Sequence, residues 1–322
     1  MTRRGLARKG KGAKLRRVRE DRVGRGFDVA LTALAPLIWG TTYIVTTQLL
    51  PPGVPLHVSL LRALPAGLLL MAFVRVLPSG AWVWRAFLLG ALNFTIFWAL
   101  LFVSAYRLPG GVAATVGAFQ PLIVVLLAPL VLGANLRPRA LAATAAGVAG
   151  VALLILTPAA RLDPLGLLAG FGGALSMAFG TLLTRRWGPS VPPLTMTAWQ
   201  LTAGGLLLIP LALALEPPPP APTAAHLAGY LWLGLLGAAI TYILWFRGLR
   251  RLDPTRVAPL SLLSPVTATI LGWALLGERL GALQLVGAAL TLGAVWASQT
   301  GAGRPRGDSV TPSSQPPASD RP

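Results

Sequence analysis

Apolar residues run along this chain in stretches of about twenty, long enough to cross a hydrocarbon core as helices. Ten such spans are predicted, at 27–49, 56–76, 84–106, 110–132, 139–158, 164–185, 194–215, 225–247, 255–277 and 280–299. Breakers separate them, among them Pro51-Pro52, Pro78-Ser79-Gly80, Pro109-Gly110 and Pro138. The run from Glu216 to Pro220 predicts an extended, solvated loop. Residues 300–322, rich in Ser, Pro and Gly, predict a disordered cytoplasmic tail. The pattern as a whole predicts an all-α integral membrane protein.

Composition agrees with that pattern. Charged residues make up 11% of the chain, where a soluble domain carries roughly a quarter. The nine acidic residues lie almost wholly between or beyond the apolar runs. There is no cysteine, and His57 and His226 are the only histidines. Disulfides and thiolate metal sites are therefore excluded, and no metal or cofactor is expected.

The net charge of +19 concentrates at one end: eleven of the 28 Lys and Arg residues fall within the first 25 positions. Residues 1–26 are too basic and polar for a secretory signal and lack a cleavage site. They predict a basic cytoplasmic tail that touches anionic lipid. An RNA-binding arm is the alternative, but no aromatic residue precedes Phe27 on which a base could stack, so no nucleic-acid partner is expected. With the amino terminus inside and residues at span ends counted with the adjoining loop, the basic residues divide 24 to 3 in favour of the cytoplasm, and Arg62 lies well inside a span. This bias predicts a multi-pass plasma-membrane protein with both termini cytoplasmic.

The second half of the sequence repeats the first. Leu61-Arg62-Ala63-Leu64-Pro65-Ala66-Gly67 aligns with Trp199-Gln200-Leu201-Thr202-Ala203-Gly204-Gly205, and Trp39-Gly40-Thr41 aligns with Phe179-Gly180-Thr181. Gln120-Pro121 matches Ser264-Pro265, and Gly133 matches Gly277. Five helices is an odd number, so the second copy, 164–299, enters the membrane from the side opposite to the first, 27–158. The prediction is ten transmembrane helices in two inverted five-helix repeats, an architecture that secondary transporters use for alternating access. A duplication retained for packing alone is the competing reading.

Several of these residues resemble the EamA-type transporters of the drug/metabolite transporter superfamily. They are Trp39-Gly40-Thr41-Thr42-Tyr43, Arg62, Gln120-Pro121 and the block from Ala258 through Ser264-Pro265-Val266 to Leu276-Gly277-Glu278-Arg279-Leu280, followed by Gln284 and Gly287. The resemblance spans residues 29–298 and implies transport of amino acids, other metabolites or drugs. One departure stands out: Glu278 has Ala134 as its first-half counterpart, where such families often repeat the Glu.

The candidate substrate-binding residues are Trp39, Thr41, Tyr43, Arg62, Asn93, Trp98, Gln120, Gln200, Tyr242, Trp245, Ser261 and Ser264. Arg62 lies roughly 9 Å below the outer surface at 1.5 Å per residue. A charge at that depth either lines a cavity and favours a substrate carboxylate or phosphate, or it snorkels or binds carbonyls. Pro121 and Pro265 each remove a helix hydrogen bond, and their matched positions predict paired hinges. Glu278 beside Arg279 reads as an interface ion pair. Small residues on helices five and ten, including Ala143, Gly147, Gly150, Gly287 and Gly293, suggest helix support or a homodimer contact.

Asn93-Phe94-Thr95 matches a glycosylation acceptor but lies within a span, and no GxxxxGK[ST], HExxH or GxSxG pattern occurs. Function reads first as a secondary transporter that exports small metabolites such as amino acids. Drug or nucleoside/sugar-nucleotide efflux is the alternative within transport. A non-transporting scaffold is the alternative outside it. A membrane enzyme would need clustered carboxylates for metal ions, and none is present, so the chain does not read as an enzyme.

Overall fold

A computed structural model describes residues 24–108, 116–136, 138–155, 163–277 and 281–300, which are helical with short connections and contain no strand. Residues 1–23 and 301–322 of the predicted tails, Pro109-Gly110 and the Glu278-Arg279 pair lie outside the described residues, as does the Tyr43 side chain, while residues 24–26 and 300 are helical. We number the helices α1 (Gly24–Leu49), α2 (Pro55–Val74), α3 (Ala81–Gly90 continuing as Ile96–Arg107), α4 (Gln120–Leu132) and α5 (Pro138–Ile155). They continue as α6 (Pro164–Trp187), α7 (Pro193–Leu215), α8 (Ala224–Arg251), α9 (Pro254–Leu276) and α10 (Ala282–Thr300). Eight of these are long and apolar enough to cross a membrane, and α4 and α5 are shorter apolar helices within what is described.

Proline opens α2, α5, α6, α7 and α9 at the first helical position. Its missing N–H costs nothing there, and its fixed φ suits the helix. Asp163 and Asp253 cap α6 and α9 by accepting from Gly166 N–H at 2.7 Å and Thr255 N–H at 3.0 Å. Gly133 and Gly277 end α4 and α9 with φ of +64° and +69°. Only glycine takes that backbone without strain.

α2 and α7 pack along their length through bare backbone. A Cβ at Gly67 would lie 2.5 Å from the Thr202 nitrogen, and one at Gly205 would lie 2.8 Å from Leu64 Cα. α5 and α10 pair in the same manner, Gly150 against Thr291 and Gly287 against Leu154. Most of the small faces expected to serve support or a second copy are filled by this contact within one chain. Gly147 meets Leu262 and Ala294, and Gly293 faces open space.

The helices are irregular at matched places. α3 widens to a π-helical stretch over Ala91–Thr95, and α8 does so over Trp232–Ile240. Tight turns interrupt the helix at Ala118–Phe119 before α4 and at Ser261–Leu262 within α9. Pro121 and Pro265 therefore sit in the first turn after a break rather than inside a continuous helix. The breaks are closed by three-residue turns, Val116 to Phe119 at 3.1 Å and Ser261 to Ser264 at 3.0 Å. α1 breaks at Gly40–Thr41, whereas α6 runs unbroken through the aligned Gly180–Thr181. The loop from Pro217 to Pro220 is extended and exposed, but the Glu216 side chain is buried, which corrects the expectation of solvation for that residue.

Candidate functional site

The centre of the bundle holds one continuous chain of aromatic rings with a single cation at its end. Trp39 on α1 meets Tyr242 and Trp245 on α8 at ring centroid distances of 5.0 and 5.1 Å. Tyr242 meets Phe94 on α3 edge-on at 4.6 Å, and Phe94 meets Trp98 at 5.2 Å. The Arg62 guanidinium on α2 lies over the Trp98 ring, 4.9 Å from its centroid. A cation above an indole face gains on the order of 1–2 kcal/mol when desolvated.

Arg62 is partly exposed. Its Nη2 donates to the Gly237 carbonyl at 2.7 Å, and its buried Nε has no partner among the described residues. Gly237 belongs to the widened stretch of α8, where backbone carbonyls are displaced from regular helix bonding. The four acidic residues among those described, Asp28, Asp163, Glu216 and Asp253, all lie at helix ends. The guanidinium is thus balanced by a carbonyl and a ring face, with no carboxylate at its depth. The carbonyl contact matches one of the two sequence readings of Arg62, and one buried N–H of the guanidinium is left without a partner among the described residues.

The aligned residue on α7, Gln200, has the opposite character. It is fully buried, accepts from Asn93 Nδ2 at 2.7 Å, and its Nε2 lies 3.5 Å from Thr184 Oγ1. Asn93 also donates to Thr184 at 3.2 Å. Asn93 stands in the widened stretch of α3, and Ser176 donates to the Leu92 carbonyl there at 2.8 Å. Gly180 makes room for this network, since a Cβ at that position would lie 2.2 Å from Asn93 Oδ1.

The other predicted residues fall around these two groups. Trp39 Nε1 donates to Thr241 Oγ1 at 2.9 Å, fixing the ring at the break in α1. A Cβ at Gly40 would lie 2.7 Å from the Ser264 carbonyl, so the break in α1 abuts the break in α9. Ser261 turns back to the Ala258 carbonyl at 2.7 Å. Gln120 is buried with its Nε2 unpartnered among the described residues, and Trp245 Nε1 is likewise. Thr41 accepts from Trp232 Nε1 at 2.9 Å and donates to the Ile38 carbonyl at 2.7 Å. A small cavity lies toward the end of the bundle where α1 begins. Its lining includes Thr184, Met196, Phe246, Leu249 and Arg250, so it touches the amide network at Thr184 and the ring chain through Phe246, 5.6 Å from Tyr242.

Sequence reasoning missed Phe94, which links the two ends of the ring chain, and Thr184, which closes the amide network. A phenylalanine or a threonine within an apolar span carries no signal of its own that sets it apart from ordinary packing. It also missed two ionic contacts at helix ends. Asp28 on α1 pairs with Arg247 at 2.5 Å and Arg251 at 3.4 Å on α8. Glu216 accepts from Leu56 N–H at 2.6 Å and His57 N–H at 2.9 Å.

Comparisons with known proteins bear on the family and the fold. The model of the EamA-like transporter family matches residues 27–156 and 164–298. Protein PecM of Dickeya dadantii is 47% identical over 255 residues, covering 79% of this chain and 86% of that protein. A WAT1-related chloroplastic protein of Arabidopsis thaliana is 32% identical, covering 80% of this chain and 66% of its own length. The uncharacterized inner membrane transporter YedA of Escherichia coli is 28% identical over 77% of this chain and 82% of that protein. A crystal structure with 22% identity superposes with a TM-score of 0.73, covering 84% of this chain and 96% of the other, and supports the fold.

Proposed function

The chain belongs to the EamA-like transporter family and is a multi-pass membrane transporter, and on that premise we propose that it exports small metabolites such as amino acids across the plasma membrane. In this reading ten helices cross the membrane as two inverted five-helix halves, with both termini in the cytoplasm. The matched widened stretches of α3 and α8, and the matched breaks before Pro121 and Pro265, support the two-half plan. The breaks would serve as hinges, because a three-residue turn flexes where a continuous helix does not.

The observation that carries the substrate assignment is Arg62. A cation within a span and without a counter-charge is costly in a membrane. A ligand carboxylate would supply the missing charge and accept from the unpartnered Nε, while the ring faces of Trp39, Trp98 and Tyr242 would hold its apolar part. A second reading, efflux of drugs or nucleosides, draws on the same rings, which can stack on a planar heterocycle.

Purified protein in liposomes tests both readings. The proposal expects saturable flux of labelled amino acids, with flux lost on Arg62→Gln. Flux of nucleosides or cationic drugs with no amino-acid flux would favour the second reading. No flux across a broad panel would contradict transport of such metabolites.

A further inference from the structure

At the end of the bundle opposite the start of α1, a carboxylate from one helix caps another. Glu216 follows the last residue of α7, and its two oxygens accept from Leu56 N–H at 2.6 Å and His57 N–H at 2.9 Å. The His57 ring nitrogen Nδ1 lies 3.0 Å from Glu216 Oε2, and each side chain is 8% exposed. Pro55 fills the first position of α2, so Leu56 and His57 offer that helix's first free N–H groups. One titratable carboxylate therefore fastens the start of α2 to the end of α7. At the other end of the same helix pair, Trp199 Nε1 donates to the Val76 carbonyl at 2.7 Å, a contact with no titratable group.

We infer that the Glu216–His57 pair is a proton-binding site that holds or releases the start of α2. The ionised carboxylate presents only acceptors to three donors that converge on it. Adding a proton to it turns one oxygen into an O–H that meets those donors and removes the negative charge, so the hold on the buried N–H groups weakens. The helix N-terminus, which favours negative charge, loses it as well. Proton uptake by His57 alone has the opposite sign, because an imidazolium strengthens the pair. Attachment is therefore complete while Glu216 is ionised and is weakened when its carboxyl group is protonated.

Other titratable or charged groups on the packed elements act elsewhere. His226 on α8 bonds the Thr223 N–H at 3.3 Å, Tyr230 lies on the same helix, and Arg107 at the end of α3 pairs with Asp163 at 3.7 Å. Arg62 follows His57 by five residues, about one and a half turns along α2. Releasing the start of α2 thus frees the helix that sets the Arg62–Gly237 hydrogen bond. By linkage, a ligand on Arg62 changes the proton affinity of the pair by the same factor. A chain with no carboxylate in the middle of a span gains a proton-linked element by this route.

The test reads a distance and needs no transport substrate, so its outcome is separate from that of the transport reading. The chain has no cysteine, so paired cysteines can carry spin labels directly. One pair, at the exposed Pro52 and Pro218, reports on the α2–α7 junction, and a control pair at Leu77 and Ser190 reports on the other end. Distances are measured in lipid nanodiscs at about pH 7.5 and about pH 3, on either side of the ordinary ranges of imidazole and carboxyl groups. The expected result is a Pro52–Pro218 distribution that broadens and lengthens in acid, by on the order of 2–5 Å, up to a helical pitch. The control pair stays constant, and Glu216→Gln makes the first pair insensitive to pH. An unchanged distribution in the otherwise wild-type chain, a shift retained in Glu216→Gln, or an equal shift in the control pair would overturn the inference.

Discussion

Arg62 on α2 and Gln200 on α7 occupy aligned positions of the two halves and have been put to different uses. Each reaches toward the widened stretch of a helix from the other half, Arg62 to Gly237 in α8 and Gln200 to Asn93 in α3. Gln200 is fully buried and spends its amide on Asn93 and Thr184. Arg62 is partly exposed, holds one carbonyl, and faces a row of rings. The same scaffold position is closed into structure in one half, and in the other it carries a cation that, on the proposed function, a ligand completes. A charged group that is only half satisfied is a poor structural element and a good binding group, because a ligand supplies what the fold withholds.

The largest expected effect comes from Arg62→Gln. Losing a charge-assisted hydrogen bond costs about 1.5–3 kcal/mol, which is roughly a ten- to hundredfold loss of ligand affinity. Flux at low substrate in proteoliposomes should fall by that factor, while thermal unfolding in detergent stays near wild type. Gln200→Leu should reverse the pattern. It strands Asn93 and should cost about 1–3 kcal/mol of stability, read as a lower unfolding temperature, with flux per folded molecule little changed.

Gly180→Ala should destabilise through the same network, by about 1–3 kcal/mol, since its methyl group would press on Asn93. Combined with Asn93→Ala, which removes the obstructing amide, the penalty should shrink, and a double-mutant cycle on unfolding midpoints measures the coupling. The smallest effect is expected from Trp98→Leu, which removes the ring face under Arg62 and should weaken apparent affinity by a few-fold, about 0.5–1 kcal/mol. It is read as a rise in KM at nearly constant maximal flux.

Much of this arrangement was legible in the sequence, for physical reasons. Helix positions follow from long apolar runs, and the gaps between them from breakers such as Pro51-Pro52, Pro78-Ser79-Gly80 and Pro138. Arg62, Trp39, Asn93 and Gln200 stood out because polar and charged groups in a span are costly and so have a purpose. Gln120 stood out equally, yet it joins neither network among the described residues. The position of the breaks was less clear. Pro121 and Pro265 pointed to bent helices, but the interruption falls before each proline, where its ring and missing N–H are tolerated. The widened stretches over Ala91–Thr95 and Trp232–Ile240 had no local signal, since an inserted residue in an apolar helix leaves hydropathy unchanged. Glu216 read as part of a solvated loop because its partners, Leu56 and His57, lie some 160 positions earlier and act mainly through backbone N–H groups.

The account rests most heavily on Arg62 as the group that recognises a ligand's negative charge. The direct measurement is competition in proteoliposomes between an amino acid and its carboxamide, in the wild-type chain and in Arg62→Gln. The account predicts that wild type prefers the carboxylate by about tenfold or more and that Arg62→Gln loses the preference while still folding. An undiminished preference for the carboxylate in Arg62→Gln would contradict it.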